Sequence, residues 1–148
     1  MKLDRNKAGK AFRNYVAQYN AQDEKVKLKI DHTYRVAALC EQIAQSISLS
    51  SDDVDIAWFS GLLHDVGRFE QLRRFGTFND AQSIDHAMYG AEILFDQEKI
   101  WDYIDREAIT EDELLFLRKV ISCHSAYRVP QDYTCLLYTS PSPRDRSV

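Results

Sequence analysis

Apolar residues recur at helical spacing along most of the chain, and no segment alternates in the two-residue rhythm of a half-buried strand. From Asp4 to Tyr19 the positions Ala8, Phe12, Tyr15, Val16 and Tyr19 form one stripe, with Asp4 placed to cap the first turn. A second stripe of Leu28, His32, Val36, Leu39, Cys40, Ile43 and Ile47 predicts a helix that buries His32 with its apolar neighbours. After the break Ser48-Leu49-Ser50-Ser51, Asp52 and Asp53 suit the start of a third helix. It carries Val54, Ala57, Trp58, Leu62 and Leu63 up to His64-Asp65-Val66, and Gly67 is expected to end it. Periodicity then lapses from Arg68 to Gln82, which reads as a long ordered loop with at most a short helical turn. Ser83 is expected to cap a fourth helix through Ile84, Ala87, Met88, Ala91, Leu94 and Phe95, with His86 in its first turn. Thr110 and Glu113 have the spacing of a capping box ahead of Leu114, Leu117, Val120, Ile121 and His124.

These elements predict an all-α helical bundle forming one domain over residues 1–132. The remainder, 133–148, holds two prolines and three serines without periodicity and is expected to be an irregular tail, non-native or disordered. Composition narrows the function. A net charge of −4 supplies no basic footprint for duplex nucleic acid. No apolar run approaches the roughly 20 residues that span a bilayer, so a membrane protein is not expected. The first residues lack a secretory signal pattern, which predicts a cytoplasmic protein. The three cysteines show no CxxC spacing, so a structural zinc is not expected from them.

The chemistry lies in the four histidines. A metal site needs neutral imidazoles and carboxylates converging on one point, and His32, His64, His86 and His124 each fall on an apolar face or at a helix end. His64-Asp65 is a polar pair at the end of an apolar helix. Burying it costs several kcal/mol unless a cation or hydrogen bonds compensate.

Three segments carry a resemblance: Asp31-His32-Thr33-Tyr34-Arg35-Val36, Gly61-Leu62-Leu63-His64-Asp65-Val66-Gly67-Arg68-Phe69 and Ser83-Ile84-Asp85-His86-Ala87. Together they resemble the HD superfamily of metal-dependent phosphohydrolases over roughly residues 10 to 132. The resemblance implies an HD-domain-like orthogonal helical bundle in which His32, His64 and Asp65 ligate a divalent ion. It further implies a second ion on His86 and His124, with Asp65 bridging the two. One or two ions fit, and Mn, Fe, Mg, Co, Ni and Zn all stay open. The implied activity is hydrolysis of a phosphate monoester or diester, nucleotides included, by a metal-activated water. Asp65 and Arg68 are then the expected catalytic residues, and Arg68 and Arg73 are expected to meet the phosphate of a small substrate.

The family's last aspartate, on a helix after the position of His124, has no counterpart here. Asp132 follows Val129-Pro130-Gln131 in a turn and Asp145 lies in the tail, so the domain is read as C-terminally incomplete. Two other functions fit the same residues. One is a diiron oxygenase of the same superfamily, and the other is a non-catalytic module that binds a nucleotide or a partner.

Overall fold

The computed structural model describes residues 1–124. Among them there is no strand, and six α-helices account for most of the chain: α1 (Arg5–Val16), α2 (Glu24–Ser46), α3 (Ser51–Leu63), α4 (Val66–Phe75), α5 (His86–Ala91) and α6 (Glu111–Cys123). Short 3-10 turns and one π-helical segment, Glu92–Asp96, link the later helices. The expected all-α architecture is therefore found. The boundary at 132/133, the tail, Asp132 and Asp145 lie outside the described residues. None of the described helices is long and apolar enough to cross a membrane.

Local chemistry explains most of the boundaries. Asp4 caps α1 by accepting from the amides of Asn6 and Lys7, and Ser50 caps α3 through the amide of Asp53. Thr110 and Glu113 form the full reciprocal capping box of α6. The core gathers Phe12 from α1, Phe59, Leu62 and Leu63 from α3, Phe69 from α4, and Leu117 and Ile121 from α6. Phe12 and Tyr15 meet Phe69 edge-on, with ring centroids 6.1 and 6.0 Å apart.

Three expectations need correction. The first is the face of α2. Leu28, Leu39 and Ile47 are exposed at 63%, 53% and 55%, while Val26, Thr33, Ala37 and Ala44 are buried. The helix presents its small residues inward because α3 lies so close that a Cβ on Gly61 would sit 2.6 Å from the Cα of Ala37. Bulky residues cannot enter that interface, so the apolar stripe is displaced outward and His32 is left at its edge, with a side chain 41% exposed.

The second correction is α4, a helix where a loop was expected. Its inward positions include Arg68 and Gln71, which erase the apolar period although Phe69 and Leu72 are buried. Gln71 is fully buried and satisfied: its amide donates to Asp80, Ser83 and the carbonyl of Ile84, and its oxygen accepts from Arg68. Gly67 does not end α3. It lies in the first turn of α4, and the residue that closes this helix is Gly76, at φ 68°.

The third is the cap of α5. Asp85 takes that role, accepting from the amides of Ala87 and Met88, while the Ser83 hydroxyl donates to the carbonyl of Asn79.

Candidate metal centre

Two close backbone approaches bring the histidines together. Gly61 seats α3 on α2, which sets His64 beside His32. Gly67 does the same between α4 and α5: a Cβ there would lie 2.3 Å from the carbonyl oxygen of His86 and 2.7 Å from the amide nitrogen of Gly90. Asp65, two residues before Gly67, thereby comes to face His86. His64 and His124 stand at the C-caps of α3 and α6, and His86 is the first residue of α5.

The result is a carboxylate with two occupied sides. Asp65 is 4% exposed. Its Oδ2 lies 3.3 Å from His32 Nε2 and 3.1 Å from His64 Nε2, and its Oδ1 lies 3.4 Å from both His86 Nε2 and His124 Nε2. The imidazoles also approach in pairs, at 3.3 Å between His64 and His32 and 3.0 Å between His86 and His124. Two groups of three possible ligands share Asp65: His32 and His64 on one side, His86 and His124 on the other.

The proton positions follow from the outer partners. His64 Nδ1 is 2.6 Å from the carbonyl oxygen of Gly61, and His124 Nδ1 is 2.7 Å from that of Ile121. A carbonyl only accepts, so each Nδ1 carries the hydrogen and donates it. His86 Nδ1 donates likewise to Asp80 Oδ2 at 2.7 Å. In the neutral imidazole the Nε2 atoms are then bare lone pairs, aimed at one another and at an anionic carboxylate. That arrangement is repulsive on its own and attractive around a divalent cation. The spacing agrees, since ligands about 2.1 Å from one tetrahedral ion lie roughly 3.4 Å apart.

Electrostatics support the same donor set. Burial, with the charge of Lys29 added, lowers the pKa of His32 and so favours its neutral, ligating form.

Two residues of the centre escaped the sequence reading. Lys29, one turn before His32 on α2, places Nζ 3.1 Å from Asp65 Oδ2 and 5.3 Å from the ring centre of Phe78. The i, i+3 spacing to His32 was the available signal. Asp80 is the other. It accepts from the ring and the amide of His86, and it is held in turn by Gln71 and Arg68. Burial works against its ionisation, and the bonds from Gln71 and His86 overcome that and lower its pKa.

Arg68 accordingly faces Asp80, Gln71 and the carbonyl of Phe78, with its Nε buried and unpaired. Arg73 is 60% exposed in its side chain and pairs with Glu70; no contact among the described residues joins it to the centre.

Asp80→Asn is expected to weaken metal binding by about 10- to 100-fold with the fold unchanged, because the carboxylate both orients His86 and raises its basicity. Metal titration of the stripped chain, beside a circular dichroism melt, checks this.

Comparison with known proteins agrees with the geometry. No curated protein and no solved structure matches the chain. The family model described as HD domain does match, over residues 30–134, a span that contains all five converging side chains. With that match covering more than half of the sequence, and a histidine, a His-Asp pair and two further histidines gathered around one buried carboxylate, the chain belongs to the HD domain family.

Proposed function

We propose that the chain hydrolyses phosphate esters with two divalent ions held by His32, His64, Asp65, His86 and His124. The observation that carries this reading is the two-sided environment of Asp65, each oxygen faced by its own pair of imidazole nitrogens. Such an ion pair, when bound, lowers the pKa of a coordinated water toward neutrality and stabilises the attacking and leaving oxygens of an in-line displacement at phosphorus.

The chain's own residues supply orientation and charge. Asp65 is shared between the halves, and Asp80 holds the His86 ring through its Nδ1 hydrogen. Arg68 works through Asp80 in this reading, and Lys29 takes the place foreseen for the arginines as the cation nearest the ligands. Substrate enters on the side of His32 and Lys29, whose side chains are 41% and 18% exposed against 4% for His86. A phosphate oxygen arriving there gives Lys29 an anionic partner besides Asp65.

Lys29→Met is therefore expected to raise KM for a phosphate ester by about 10- to 100-fold, the worth of one hydrogen bond to a charged group. Metal content should not fall, and steady-state kinetics with metal analysis reads both. The activity itself is tested by release of p-nitrophenol from p-nitrophenyl phosphate and from its bis ester by the manganese-loaded chain. Turnover that disappears with chelator and returns with metal is expected. No release from either ester, together with oxygen consumption by the iron-loaded chain on a polyol or organophosphonate, would assign the centre to oxygenase chemistry instead.

A further inference from the structure

A cavity lies between α1, the start of α4 and the segment following α5, and none of the five metal-centre side chains lines it. Its volume, about 780 Å³, falls within the size of small-molecule sites. Tyrosine is the commonest residue in its walls. Tyr15, Tyr19, Tyr89 and Tyr103 all line it, beside Ile93 and Leu94.

The hydroxyls are not equivalent. Tyr15 donates to the carbonyl of Val66 at 2.7 Å, Tyr19 to Glu70 at 2.7 Å, and Tyr89 accepts from Arg74 at 3.1 Å. Tyr103 is 3% exposed and lines the cavity, and its hydroxyl has no hydrogen-bond partner among the described residues. That hydroxyl is left as a donor and acceptor for a molecule in the cavity that Tyr103 lines.

Charge at the lining is positive on a chain that is negative overall. Lys7, Lys10 and Lys99 contribute three cations against Glu70 and Asp102. Lys7 is tied to Asp105 and Glu70 to Arg73, which leaves Lys10 and Lys99 as cations with no ion pair among the described residues. The amides of Asn14, Gln18 and Gln97 add donors and acceptors along the wall.

We infer that this cavity binds an aromatic monophosphate of mononucleotide size, its ring against the tyrosines and its phosphate toward Lys10 and Lys99. Tyrosine rings suit contact with a planar ring, and side-chain amides with a hydroxyl suit the polar edge of a base. The site is separate from the metal centre, although the Tyr15 bond to Val66 brings its floor within one residue of Asp65. It does not depend on the proposed hydrolysis.

Calorimetric titration of the full chain with AMP, in chelator so that no metal attracts the phosphate, tests the assignment. Saturable binding at one site is expected, weakened at least tenfold by Lys10→Glu with Lys99→Glu, weakened severalfold by Tyr103→Phe, and unchanged by His64→Ala. AMP should also bind at least tenfold more tightly than inorganic phosphate. The inference is overturned by absence of binding, by equal affinity for AMP and phosphate, or by binding that survives the double lysine variant and disappears in His64→Ala. Failure of this titration leaves the metal centre untouched, since that is read from metal content and ester hydrolysis.

Discussion

Asp65→Ala should empty both halves of the centre at once. The carboxylate is the only group common to the two sets of ligands, so its loss leaves each ion with a pair of imidazoles and no negative charge among the described residues that converge on it. Two neutral nitrogens rarely hold a divalent ion against competition from water; zinc, for one, takes four protein ligands, or three with an open position. Metal per chain, measured by plasma mass spectrometry after dialysis, should fall from two to near zero, and ester hydrolysis should fall to the uncatalysed background. His86→Ala makes the necessary comparison, because it removes a ligand from one half only and should leave the other ion in place. If Asp65→Ala kept its metal at the original stoichiometry, the carboxylate would not be the shared ligand.

Gly67→Ala should be strongly destabilising. The added methyl would meet backbone, not a yielding side chain: the His86 carbonyl at 2.3 Å and the Gly90 amide at 2.7 Å. Neither can move without shifting α5. Overpacking of this kind costs about 3 kcal/mol, which for a chain of this size lowers Tm by about 10 °C. The same displacement carries His86 away from Asp65, so the surviving folded fraction should also bind metal more weakly. A thermal melt and a metal titration of the one variant test both links. A melting temperature within a degree or two of the parent would mean that α4 and α5 are not pressed together at Gly67.

The five converging side chains were legible in the sequence because a metal site would restrict residue type so strongly. Four histidines and one His-Asp pair leave few combinations, and three of the four histidines fall at helix ends where periodicity places them well. It was less informative wherever polar residues point inward. Gln71 and Arg68 broke the apolar rhythm of α4 and made a helix read as a loop, and their partner Asp80 was hidden in that same stretch. The face of α2 was misread for the opposite reason. Its large apolar residues are exposed while alanine and threonine pack against Gly61, and no periodicity of hydrophobicity reports how near two backbones come. Gly67 looked like a stop signal because a glycine required for close approach and one required for a left-handed turn are the same letter; Gly76 is the second kind.

The measurement that bears most directly on the whole account is anomalous scattering at the metal edge from crystals of the manganese-loaded chain. Two peaks are predicted on either side of Asp65, one beside His32 and His64 and the other beside His86 and His124. Two such peaks would establish the centre that the proposed hydrolysis requires. An absence of peaks at Asp65, or a single ion held elsewhere, for example by Asp80 and Asp85, would contradict it.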